Sequence, residues 1–125
     1  MELNIKFSKE QLDKIFPFYI EFDTKGHIVS QGVSSEKLFG DIIKSFFTSE
    51  FVLERPYIHN WEVKDIIENI KQVFFIRHKA NDIIFRGQFE QIYDKNTLIF
   101  LGSPWVKNVD YLKEKKLYLQ DFALH

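Results

Sequence analysis

Thr97-Leu-Ile-Phe-Leu-Gly-Ser-Pro-Trp105 decides the architecture of this chain. In an extended conformation Leu98 and Phe100 point one way while Ile99 and Leu101 point the other. A strand that is apolar on both sides belongs in the middle of a sheet, covered front and back. Two further extended stretches precede it, over 73–79 and 82–93. Ala80-Asn81-Asp82 and Asp94-Lys95-Asn96 join the three, and both links are short enough for hairpins. Their side chains also divide, with Phe74, Ile76, Ile83, Phe85 and Phe89 set against Val73, Phe75, Ile84 and Ile92.

Upstream of this meander the pattern changes period. Ser8 and Gln11 form a capping box that opens a helix over 8–16, with Phe7 placed to staple onto Leu12. Leu12, Ile15 and Phe16 make one apolar stripe, and Pro17 ends the helix by disfavouring helical geometry at Phe16. Phe18, Ile20 and Phe22 alternate with polar neighbours as a half-buried strand. Asp23-Thr24-Lys25-Gly26 turns the chain back into a second strand over 27–31. Residues 34–39, closed by Gly40, and 41–47 read as two short helical turns. Phe51 to Pro56 reads as extended chain or loop. Asn60 is placed to cap a longer helix over 61–72, with Val63, Ile66, Ile67 and Ile70 at helical spacing.

The expectation is one α+β domain over residues 1–125, with a five-stranded antiparallel sheet, helices on one face and an N-terminal amphipathic helix. A capped helix and a leucine-spaced linker are expected over 106–125, an ending that reads as a module cut from a longer protein. Such a sheet has more apolar surface than one layer of helices covers, and each large side chain left in water forfeits about 1.5–3 kcal/mol. The N-terminal helix and a second copy of the chain together are expected to cover the remainder. Phe7, Leu12, Ile15, Phe16, Ile99 and Leu101 would form the seam of that homodimer.

Composition narrows the chemistry. The 125 residues fit one domain, and fourteen phenylalanines supply a core without disulfide or metal. With no cysteine, thiol catalysis, a cysteinyl–flavin adduct, thiolate zinc and iron–sulfur clusters are excluded. A formal charge of -1 argues against a general nucleic-acid binder. No apolar run approaches the roughly 20 residues of a membrane helix, and no signal-peptide pattern opens the chain, so a cytoplasmic location is expected.

Candidate catalytic groups do not assemble into a motif. His27, His59, His78 and His125 have no metal-ligand spacing, and His27 and His78 are expected on solvated hairpin rims. Glu21 and Asp23 share a strand face, but a solvated polar face explains them. Ser34 and Ser35 are read as helix caps. Arg77, Arg86 and Gln88, embedded in the apolar meander, are either an interface or anion-facing set or the solvent side of alternating strands. No cofactor is expected.

A family resemblance rests on Phe16-Pro17-Phe18, Phe22-Asp23, Arg55-Pro56 and Val73-Phe74-Phe75-Ile76-Arg77. It continues through Phe85-Arg86-Gly87-Gln88, Leu101-Gly102-Ser103-Pro104 and Leu117-Tyr118-Leu119-Gln120-Asp121-Phe122-Ala123-Leu124-His125. In this order the pieces resemble the haem–nitric-oxide-binding-associated (H-NOX-associated) domain of soluble guanylate cyclases and bacterial signalling histidine kinases. The resemblance implies a PAS-like fold, dimerisation through the N-terminal helix and sheet, and a non-catalytic role. That role is to relay the state of a haem nitric-oxide or redox sensor to a cyclase or kinase output. Trp105, Leu117, Leu119 and Asp121 would then transmit the signal from the sheet to the exit. The alternative is a ligand-sensing domain whose pocket lies between helix 61–72 and the sheet, beside Ile66, Ile70, Phe85 and Phe100.

Overall fold

The quoted stretch is a central strand. In the computed structural model, which describes residues 8–105, the chain runs α1 (Lys9–Ile15), β1 (Ile20–Asp23), β2 (Ile28–Gln31), α2 (Val33–Phe39), α3 (Phe47–Glu50), β3 (Phe51–Arg55), α4 (Val63–Glu68), β4 (Phe74–His78), β5 (Ile84–Ile92) and β6 (Thr97–Pro104). The six strands form one sheet in the order β2-β1-β6-β5-β4-β3, every described pairing antiparallel. β6 therefore has a partner on each side, with Phe100 opposite Ile20 of β1 and Phe89 of β5. The class is α+β as expected, with one strand more than the five read from the sequence.

That strand is β3. Its alternation lasts only from Phe51 to Leu53 before a bulge, and Arg55 is followed by proline, so its period was too short to read. It closes one edge of the sheet, where the Trp61 indole N–H donates to the Phe51 carbonyl at 3.3 Å. Ser8 caps α1 through the expected reciprocal box with Gln11, and Phe16 ends it. The fourth helix is shorter than the expected 61–72 and begins later. Asn60 sits in the left-handed region at φ 50, and Glu62 with Asp65 makes the capping box instead. Asn69 ends α4 by turning its side-chain amide onto the Asp65 carbonyl at 2.9 Å. Ser34 and Ser35 do not cap α2 but lie buried in its first turn, after the N-cap Gly32.

α2, α3 and α4 cover the inner face. Phe22, Phe74, Ile76, Phe85, Phe89, Leu98 and Phe100 from the strands meet Phe47 and Ile66 from the helices in one buried cluster. The Phe47 ring stacks on Phe22 at 4.5 Å and lies 5.6 Å from Phe89. Phe89 in turn meets Phe74 edge-on at 4.8 Å. Gly87 and Gly102 face each other across β5 and β6, and the Phe100 ring fills the space their side chains would take. A Cβ at Gly102 would stand 2.7 Å from that ring. Bulk at one residue is thus matched to its absence at two others.

Candidate functional site

Among the described residues, the other side of the sheet has no comparable layer. Register places Glu21, Ile99 and Glu90 in one row across β1, β6 and β5, with Leu101 and Gln88 in the next. Ser103, Arg86 and Phe75 follow, and then Ile84, Arg77 and Val52. Ile99 is buried, Leu101, Phe75, Ile84 and Val52 are half-buried, and Arg86, Gln88 and Glu90 are exposed. This face is amphipathic rather than uniformly apolar, because β5 places an exposed polar row between apolar neighbours. Arg86 and Gln88 belong to that row and border the apolar ground of Leu101.

Two hollows open on this outer face. One, of about 430 Å³, lies between Phe16, Leu101, Gln88 and Arg86 above the paired glycines. The other, of about 340 Å³, is walled by Phe75, Ile84, Trp105, Glu54 and Arg55. The Trp105 ring meets Phe75 edge-on at 5.7 Å, and its backbone N–H donates to the Ile84 carbonyl. Beside it Arg77 donates to Glu54 at 2.7 Å and to Asp82 at 2.8 Å. The hydrogen bond to Glu54 is the largest influence raising the pKa of this guanidinium above its ordinary value, aided by Asp82. It is fixed as a cation.

α1 reaches this region with Ile15 of its apolar stripe exposed. It contains no buried residue: Leu12 is half-buried and Ile15 is 40% exposed. Polar pins hold it. Lys9 donates to Asp13 and to the Gln31 carbonyl, and its ammonium stands 5.7 Å from the centre of the Tyr19 ring. Burial works to lower the Lys9 pKa, but the Asp13 hydrogen bond and the neighbouring charges outweigh it, and the net direction is up.

Of the six seam residues, Leu12, Ile15 and Phe16 lie on or just past α1, while Ile99 and Leu101 lie on the outer face. Phe16 and Leu101 share the wall of one hollow. Phe7 lies outside the described residues, as do Leu117, Leu119, Asp121 and the rest of 106–125. Ile66, Phe85 and Phe100 sit in the buried cluster with Ile70 packed against it, and Phe85 meets the rings of Phe18 and Phe39 at 5.7 and 5.2 Å. A third hollow, of about 590 Å³, lies off these faces along β3, beside Tyr57, His59 and Lys79.

Two polar expectations are corrected. Glu21 is buried, not solvated, and accepts a hydrogen bond from the Thr97 hydroxyl at 2.6 Å. His78 is also buried, facing Phe39 and Phe51, because the alternation of β4 turns it inward with Phe74 and Ile76. Its Nε2 is 3.1 Å from Glu50, and its Nδ1 has no hydrogen-bond partner among the described residues. Asp13 and Gln31 were overlooked as structural links. The clue in the sequence was Gly32, a helix start with no capping side chain.

No helix among the described residues is long and apolar enough to cross a membrane. A family model described as heme NO binding associated matches residues 5–84 and 77–125. The head-specific guanylate cyclase of Drosophila melanogaster is 23% identical over 134 residues, covering 98% of this chain and 20% of that protein. The human guanylate cyclase soluble subunit alpha-2 is 26% identical, over 98% of this chain and 18% of its own length. The rat soluble subunit beta-2 is 26% identical over 88% of this chain and 18% of that subunit. The chain spans about a fifth of the length of these relatives.

Proposed function

This chain belongs to the heme NO binding associated family, and on that premise we propose that it is a non-catalytic signalling module that pairs with a second copy of itself. The seam runs along Leu12, Ile15 and Phe16 and onto Leu101, whereas Ile99, at 4% exposure, is already covered within one chain. Through this seam the module relays the state of a haem nitric-oxide sensor protein to an output domain. The family's heme NO binding associated description supports the sensor side, and the guanylate cyclase names of its relatives support a cyclase output. Trp105, at the end of β6, is the last described residue on the route out.

One observation carries the reading: α1 is amphipathic in sequence and well capped, yet buries none of its residues. A helix of 7 residues has little stability alone, so the exposed Ile15 beside the half-buried Leu12 calls for a partner surface. The hollow between Phe16 and Leu101 lets a second stripe seat there.

Sedimentation equilibrium of the full chain tests this. The native chain is expected at twice its mass, and the pair Ile15→Asp with Leu101→Asp at the monomer mass with its circular dichroism retained. A native chain that sediments as a monomer, or a double variant that stays paired, would defeat the seam.

A further inference from the structure

We infer that Asp13 couples the N-terminal helix to the helical layer on the far side of the sheet, by capping α2 from a different helix. The first turn of α2 needs acceptors for its amides, and its N-cap, Gly32, offers no side chain. The segment around α1 supplies all three. The Asp13 carboxylate accepts from the Val33 N–H at 3.1 Å, and the Pro17 carbonyl accepts from Ser34 at 3.0 Å and Ser35 at 3.2 Å. Gly32 is needed for this approach, since a Cβ there would meet the Pro17 carbonyl oxygen at 2.3 Å. A carboxylate also suits the positive end of the helix.

The connection continues through Gln31. Its side-chain amide donates to the Ser35 hydroxyl at 3.2 Å and to the Gly40 carbonyl at 3.0 Å, while its oxygen accepts from the Ile42 N–H at 2.9 Å. Its backbone carbonyl accepts from Lys9 of α1. Both ends of α2 and the start of the following segment are therefore tied to the strand end on which α1 is pinned. Because α1 is held by polar contacts and leaves Ile15 40% exposed, it is the element an outside partner can shift. Its displacement loosens the cap on α2 and the segment leading to the buried Ile42. The inference rests on the proposed pairing only for the source of that displacement.

Amide hydrogen exchange on the full chain tests it, with sedimentation mass recorded on the same samples. Asp13→Ala is expected to speed exchange at Val33, Ser34, Ser35 and Ile42 about five- to tenfold, leaving the β5–β6 amides unchanged. Unaltered exchange at 33–35 would overturn the coupling. Should Asp13→Ala raise exchange throughout the sheet, Glu36→Gly decides. It weakens the exposed face of α2 without touching α1, and linkage is reciprocal, so faster exchange at Leu12 and Phe16 supports the coupling and unchanged exchange there overturns it. A monomer that shows linked exchange retires the seam and leaves the coupling. A dimer without linked exchange does the reverse.

Discussion

The two faces of the sheet are built from the same strands, residue by residue in alternation, yet they do different work. On the inner face Phe100, Phe89, Phe74 and Phe22 are fully buried beneath Phe47 and Ile66. On the outer face the intervening positions carry Leu101, Gln88, Glu90, Phe75 and Arg77, which mix apolar contact with charge. A face meant for permanent burial tolerates no such mixture, because each unpaired charge there would cost several kcal/mol. A face meant to associate and separate needs it, since the polar rim keeps the free form in solution. The inner face makes the fold, and the outer face carries the proposed seam.

Substitutions along this divide sharpen it. Phe100→Ala, which empties the centre of the inner cluster, should cost about 3–5 kcal/mol in urea unfolding. Gly102→Ala keeps every existing side chain but drives a methyl toward the Phe100 ring, and should cost about 1–3 kcal/mol. Leu101→Ala, one residue from Phe100 but on the other face, should cost less than about 1 kcal/mol in a dilute, unpaired sample while weakening association. If Leu101→Ala destabilised the unpaired chain as much as Phe100→Ala, the two faces would be one core and the division would fail.

The division was legible where the period of two was long enough to read. β5 and β6, with 9 and 8 residues, announced their two faces, and β6 announced its central position. The cap of α1 was legible because Ser8 and Gln11 stand alone in a local motif that needs no tertiary partner. What failed depended on distant parts of the chain. β3 is a strand because β4 lies beside it, not because five residues ending at a proline insist on it. His78 is buried because Phe39 and Phe51 close over it, and Glu21 because the Thr97 hydroxyl, 76 positions away, answers its carboxylate. Asn60 lost the helix start to Glu62 because reciprocal bonds with Asp65 satisfy two donors at once. Beside the proposed seam, strand alternation singled out Arg86 and Gln88 but not Glu90, which completes their exposed polar row on β5.

Isotope-filtered NMR on an equal mixture of labelled and unlabelled chain tests the central claim most directly, because it sees only contacts between copies. The methyl groups of Leu12, Ile15 and Leu101 should show intermolecular cross-peaks, and those of Ile20, Ile28, Ile66 and Ile76, which belong to the inner cluster, should show none. Cross-peaks from the inner set, or a paired chain whose outer-face methyls stay silent, would contradict the assignment of folding to one face and recognition to the other.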